Sequence, residues 1–256
     1  MKILLTGYKG FIGSHMLKRL NSDGHEVTTH EWGDPYPPIG RINLDWVIHL
    51  GAISSTAERD VEKVLRQNYD FSVLLYKDCR FFGVNFQYAS SASVYGLVSS
   101  FKEDAPLDPR TPYAWSKYLF ERYVRDNPIN EIAQGFRYFN VYGPEGEEHK
   151  DQPSPFYRFK QQAETLGKIQ VFEDSENFTR DFIHVSDIID THISFMDSKE
   201  SGIWNVGTGK TMSFIDVAKQ FNVPIEYIPM PDHMKDSYQE YTCANVVKLN
   251  NTLQKV

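Results

Sequence analysis

A chain of 256 residues with 41% hydrophobic content can bury a full core, as one large α/β domain or one domain plus a smaller lobe, and is not a disordered protein. Its net charge of −7 comes without a long basic run, so neither nucleic acid nor a membrane surface is expected as the main partner. Cys79 and Cys243 form no Cys-x-x-Cys pair and the 8 histidines show no His-x-His or His-x-x-x-His spacing, so no disulfide framework and no metal site are expected, and a reducing cytoplasm fits.

Lys2-Ile-Leu-Leu-Thr6 predicts a buried strand; its apolar run is too short for a signal-peptide core, and no apolar stretch approaches the roughly 18 residues of a membrane span. Gly7-Tyr-Lys-Gly10-Phe-Ile-Gly13 follows and opens a helix that continues through Leu20. Glycines between a strand and a helix allow a tight turn and close backbone approach, and the helix N-terminus offers free N–H groups to a pyrophosphate, so this is a dinucleotide-binding turn. The second strand, from Gly24, ends in Glu31, either a surface glutamate or a carboxylate that accepts both ribose hydroxyls of the adenosine and repels a 2′-phosphate, which leans to NAD over NADP.

Residues 32–44 are rich in proline and glycine and predict a shortcut loop into the strand Asp45-Trp-Val-Ile-His-Leu50. Gly51, Ala52, Ile53 and Ser54 then form a small-residue turn at its carboxyl end, where an open parallel sheet holds its ligand. Apolar residues at Val61, Val64, Leu65, Phe71, Leu74 and Leu75 predict a helix over 58–82. Within it, Asn68 is either an exposed polar residue or one that orders the site. Val84-Asn-Phe-Gln-Tyr-Ala89 is the next strand, and the hydroxyls after it include Ser91, placed to hold a substrate hydroxyl unless it is simply a turn serine.

Thr111 as N-cap and Pro112 as first helical residue predict a helix that puts Tyr113 and Lys117 one turn apart. The lysine charge then favours the phenolate. Bringing a phenol from about pKa 10 to near 7 takes about 4 kcal/mol, so a cationic cofactor ring would have to assist, and chance alone yields such pairs in a chain with 15 tyrosines. Gln134-Gly-Phe-Arg-Tyr-Phe139 is a further strand. Strands alternating with helices predict a doubly wound parallel sheet of the Rossmann type over residues 1–144. A smaller C-terminal substrate-binding lobe is expected from 145–177 and 201–256, with 178–200 packing back on the sheet. Arg180 in that region either meets a substrate phosphate or pairs with Asp181.

The glycine turn, Ser90-Ser-Ala-Ser-Val-Tyr-Gly96 and Tyr113-x-x-x-Lys117 together resemble the extended short-chain dehydrogenase/reductases of the NAD-dependent epimerase/dehydratase family. Gly135-Phe-Arg-Tyr-Phe-Asn-Val-Tyr-Gly-Pro144, the stretch from Phe172 to Phe182, Asn205-Val-Gly-Thr-Gly209 and Glu226-Tyr-Ile-Pro-Met-Pro-Asp232 are similar to its ADP-L-glycero-D-manno-heptose 6-epimerase branch, along nearly the whole chain. The resemblance implies tightly bound NAD or NADP, a nucleotide-sugar substrate and a homo-oligomer. It makes Tyr113 an acid/base, Lys117 its support and partner of the nicotinamide ribose, Ser91 the holder of the reacting hydroxyl, and Lys150 the second acid/base. Cofactor contacts would include Phe11, Ile12, Glu31, residues 51–54 and Asn68; substrate contacts would be Ser91, Asn140, Phe172, Glu173, Asp174, Ser175, Arg180 and Tyr238.

The chain departs from the pattern in three places. Tyr8 stands at the second position of the usual Gly-Gly-x-Gly, the 32–44 loop is shorter and lacks the acidic adenine-side motif, and Val256 lies about one helix before the family's usual end. Ala92-Ser93 stands where related dehydratases carry Asp-Glu, which disfavours elimination. A 4-epimerase of another nucleotide sugar is the alternative within the class, and a cofactor-binding protein without turnover the alternative outside it.

Overall fold

The computed structural model describes residues 1–149, 153–231 and 239–255; Lys150 and Tyr238 lie outside these. Five strands and their helices occupy the first half in the order β1 (Lys2–Thr6), α1 (Phe11–Ser22), β2 (Glu26–His30), β3 (Trp46–His49), α2 (Val61–Val64), a π-turn (Leu65–Asp70), α3 (Phe71–Phe82), β4 (Asn85–Ser91), α4 (Pro112–Asp126) and β5 (Ala133–Tyr138). The second half continues with β6 (Asn140–Tyr142), α5 (Pro155–Leu166), β7 (Ile169–Phe172), β8 (Thr179–Arg180), β9 (Phe182–His184), α6 (Val185–Asp197) and β10 (Gly202–Val206). It closes with β11 (Met212–Ser213), α7 (Phe214–Lys219), β12 (Ile225–Ile228), β13 (Tyr241–Thr242) and α8 (Val247–Leu253).

One sheet of six strands runs β10-β5-β4-β3-β1-β2, every neighbour parallel. Its inner strands read as unbroken apolar runs because both faces are covered. Ile3 and Leu5 pack against Phe11, Met16 and Leu20 of α1 and Val185 and Ile189 of α6, while Leu4, Val47 and Phe86 meet Leu75, Tyr76 and Phe120 on the other face. The chain leaves β1 toward β2 and returns to the other side of β1 as β3, so a crevice opens at the carboxyl ends of β1 and β3. Because 32–44 is a shortcut carrying only the short turn Ile39–Arg41, β2 is the edge of the sheet.

Two expectations change. The strand Gly202–Val206, read as part of the lobe, is the sixth strand of the main sheet: Trp204 and Val206 are buried with Phe136 and Phe195, and Leu249 of α8 packs there too. The helix over 61–82 is also not of one phase. The π-turn inserts a residue, so the buried side runs through Val64, Asn68, Ser72, Leu75, Tyr76 and Cys79 and leaves Val61 and Leu74 exposed. The lobe is built on the pair β7 and β12, closed by Phe159 of α5 and by Ile215 and Val217 of α7.

Candidate active site

At the carboxyl end of β1 the chain turns through Gly7 at φ 73°, and the Gly7 N–H donates to His30 O at the end of β2 (3.0 Å). A Cβ on Gly7 would lie 2.5 Å from the Gly51 backbone, and one on Gly13 would lie 1.9 Å from Gly7 O. The glycines therefore let the 51–53 turn and α1 close on β1, as a pyrophosphate cradle requires. Tyr8, at the family's second glycine position, is not among the residues of positive φ, so the turn forms without a glycine there. Gly10 caps α1 without a side-chain hydrogen bond, and no acidic residue stands in the first turn, so no carboxylate of that turn competes with an anion at the positive end of the helix. Phe11 is buried in the core and Ile12 packs beside it, so what they offer a phosphate is main-chain N–H. The residues thus fit a dinucleotide.

Glu31 lies one residue past β2 and accepts the Lys9 N–H (3.1 Å) from the glycine turn. It lines a cavity of about 180 Å³ with Thr6, Gly7, His30, Trp32 and Gly51, Ala52 and Ile53. Ser54 is exposed and outside that lining. The 51–53 turn is held from below by Asn68, which is buried in the π-turn: its Oδ1 accepts the Ile53 N–H (2.8 Å), and its Nδ2 donates to Ile53 O (2.9 Å) and to Ser116 Oγ (3.1 Å). A buried chain continues from there. Ser72 Oγ donates to Asn68 O, His49 Nε2 lies 2.7 Å from Ser72 Oγ, and His49 Nδ1 lies 2.6 Å from Thr6 Oγ1, which accepts the Gly51 N–H. Burial, with the Lys117 and His30 charges adding to it, holds His49 down at about 3, so it is a neutral link in this chain.

Thr111 Oγ1 accepts the Ala114 N–H (3.1 Å) and Pro112 begins α4, which places Tyr113 and Lys117 on its buried side. The Lys117 ammonium donates to Ala89 O (2.8 Å) on β4 and stands 5.8 Å from the centroid of the Tyr113 ring. Burial pulls Lys117 down to about 8, against the Glu121 carboxylate, which raises it. Burial also pushes the Tyr113 phenol up, with the Ser91 hydroxyl pulling the other way. Burial therefore works against the expected phenolate in the chain alone, and the lysine ammonium is engaged by a carbonyl. Ser91 itself ends β4 and accepts the Ser93 N–H (3.1 Å). Asn140 starts β6, its N–H donating to Asp181 O (3.0 Å).

A second cavity, of about 520 Å³, opens in the lobe and is lined by Phe172, Ser175, Phe178 and Arg180 together with Arg158 and Gln162. The Ser175 hydroxyl is buried there without a partner. Glu173 and Asp174 do not join this lining: the turn after β7 carries Asp174 at φ 62° and leaves both side chains exposed. Arg180 and Asp181 make no ion pair with each other. Asp181 is fully buried and accepts the N–H groups of Thr208, Gly209 and Ala244, while Arg180 donates to Thr179 O (3.0 Å) and Gln239 O and lies over the Phe214 ring.

Sequence reasoning missed the support behind Lys117. Arg137 on β5 binds both oxygens of Glu121, 3.0 Å and 2.7 Å, and reaches Tyr95 Oη (2.8 Å); Ser90 Oγ donates to the same carboxylate. Glu121 stands four residues after Lys117 on the same helix, a spacing that marks it as a neighbour. Glu147 was missed as well. It is fully buried and accepts from Gly143 N (3.0 Å) and Ser154 Oγ (2.8 Å), joining the two sides of the stretch that contains Lys150.

The profile of the NAD dependent epimerase/dehydratase family matches residues 3–33 and 38–207. The chain is 36% identical, over 96% of its length and 90% of the relative's, to an ADP-L-glycero-D-manno-heptose-6-epimerase of Brachyspira hyodysenteriae. Its fold is that of the ADP-L-glycero-D-manno-heptose-6-epimerase of Helicobacter pylori, with a TM-score of 0.88 at 23% identity over 99% of this chain and 90% of that one. A UDP-glucose 4-epimerase of Thermus thermophilus, solved with NAD, is similar at a TM-score of 0.82 and 25% identity over 98% and 92% of the two chains.

Proposed function

Since the chain belongs to the NAD-dependent epimerase/dehydratase family, we propose that this nucleotide-sugar epimerase inverts C6 of an ADP-heptose by transient oxidation to a ketone. The observation that supports the reading is the meeting of Ser91, Tyr113 and Lys117 at the carboxyl end of β4, in the same parallel sheet whose β1 carries the glycine turn. A dinucleotide held at the glycine turn and the 51–53 turn would supply the hydride chemistry, the sugar carbon's hydrogen leaving as hydride and coming back to the opposite face. Tyr113 removes the hydroxyl proton while Ser91 holds the oxygen, and Lys117, charged at neutral pH, supports the phenolate. Lys150 is the second proton donor in this reading, needed because the ketone is reduced from its other face.

Glu31, already bonded to the glycine turn, supports NAD over NADP, since a carboxylate there repels a 2′-phosphate. Titration of both into nucleotide-stripped protein reads that preference. The cavity with Arg158, Arg180 and Phe172 supports a nucleoside diphosphate as the handle of the substrate. The activity itself is tested by offering ADP-glyceromanno-heptose and UDP-glucose to the purified enzyme and assigning the products by NMR. Inversion at C6 of the heptose is expected; turnover of UDP-glucose at C4 with none of the heptose would overturn the substrate.

A further inference from the structure

Ser91 is gripped on both sides by a pair of charges that the proposed reaction does not use. Before it in the chain, Ser90 Oγ donates to the Glu121 carboxylate; after it, at the end of the short turn Ala92–Tyr95, Tyr95 Oη accepts from Arg137 Nη1 (2.8 Å) and donates to Asn205 Oδ1 on β10 (2.8 Å). Arg137 binds both oxygens of Glu121, at 3.0 Å and 2.7 Å, and the two side chains are only 4% and 7% exposed. Ser90 and Arg137 are register partners on β4 and β5, so their side chains reach the same face of the sheet, the one that α4 covers. On α4, Tyr113, Lys117 and Glu121 follow one another at one-turn spacing on the buried side, and Lys117 donates to Ala89 O, the residue before Ser90.

Taking two charges out of water is costly, and apolar side chains of similar volume often hold a fold equally well, so stability alone does not account for this pair. Direction does: a two-pronged guanidinium–carboxylate contact has a fixed geometry, and its remaining acceptor and donor sites hold Ser90 and Tyr95. We propose that Glu121 and Arg137 are positioning residues, which together hold the end of β4, with Ser91, and the buried side of α4, with Tyr113 and Lys117, at one working distance. The inference rests on the reaction proposed above and adds to it two residues outside its catalytic set. The same carboxylate faces the lysine: burial pulls Lys117 down to about 8, and Glu121 raises it against that pull. The other titratable groups around them carry no charge at neutral pH, since burial holds His49 of β3 down and pushes up the phenols of Tyr88 on β4, Tyr95 after it, Tyr113 on α4 and Tyr138 on β5.

The test compares wild type with Glu121→Gln and with the double variant Glu121→Leu/Arg137→Met. The single variant leaves a buried guanidinium without its partner and lowers the melting temperature; the double variant removes both charges and melts at or above wild type. In the double variant calorimetry should find NAD bound as in wild type, while kcat on the ADP-heptose falls about 10- to 100-fold with KM within about twofold, the mark of misplaced groups rather than of lost binding. Its stability in urea, followed against pH, should begin to rise at a lower pH than in wild type, because without Glu121 the folded chain releases the Lys117 proton earlier. Wild-type kcat in the double variant, or an unmoved onset of that rise, overturns the inference. So does a double variant that melts well below wild type, since the pair would then be holding the fold. The onset needs no turnover: a wild type that inverts no nucleotide sugar fails the reaction reading by itself, and the onset still decides whether the pair sets Lys117 in place.

Discussion

Lys117 shows how much the fold itself asks of the site. Its ammonium is enclosed and held down to about 8 from its ordinary 10.5, and it donates to Ala89 O with Glu121 one turn away. Because the folded pKa is the lower one, between about 8 and 10.5 the unfolded chain keeps a proton that the folded chain has released, and stability rises with pH across that window. The gain reaches up to roughly 3 kcal/mol by the top of the window. Urea unfolding of stripped protein at pH 7.5 and at about 10 should therefore show a rise in wild type that is smaller in Lys117→Met. Equal slopes in the two proteins would mean that the lysine is not enclosed as described. The spacing of Tyr113 and Lys117 was legible in the sequence. The direction of the Tyr113 shift was not, because it depends on how much solvent the fold removes, and a motif carries no burial.

At the scale of elements, the π-turn Leu65–Asp70 is what brings Asn68 under the 51–53 turn. The sequence showed a helix over this stretch and an asparagine within it, but apolar spacing cannot register one inserted residue when Val61 and Leu74 look as apolar as the buried positions. Likewise Gly202–Val206 read as a short strand without saying which sheet it joins, since pairing to β5 is a long-range contact. By contrast β1, the glycine turn and α1 were readable, because each follows from local rules: an apolar run, a turn that excludes side chains, a helical period. Asn68→Ala removes three hydrogen bonds, two to Ile53 and one to Ser116. It should cost about 1–3 kcal/mol of stability and weaken NAD binding several-fold, because the turn it holds faces the crevice. Stability lost with NAD affinity intact, measured by urea midpoint and calorimetry on one preparation, would reduce Asn68 to a structural residue.

For the molecule as a whole, two cavities bear on the proposed reaction. One lies at the strand ends beside the glycine turn, the other in the lobe among Arg158, Arg180 and Phe172, and Ser91, Tyr113 and Lys117 stand at the carboxyl end of β4 and the start of α4. This arrangement suits a reaction in which the nucleotide handle is held by one part and the sugar carbon is oxidised and reduced by another. The central claim is that the inverted carbon keeps its own hydrogen, carried as hydride and never exchanged with water. Turnover of the heptose in heavy water, with the product read by mass spectrometry, tests this most directly. The account predicts inverted sugar with no deuterium at the epimerised carbon; one deuterium gained per inversion would contradict it and, with it, the roles given to Tyr113 and Lys150.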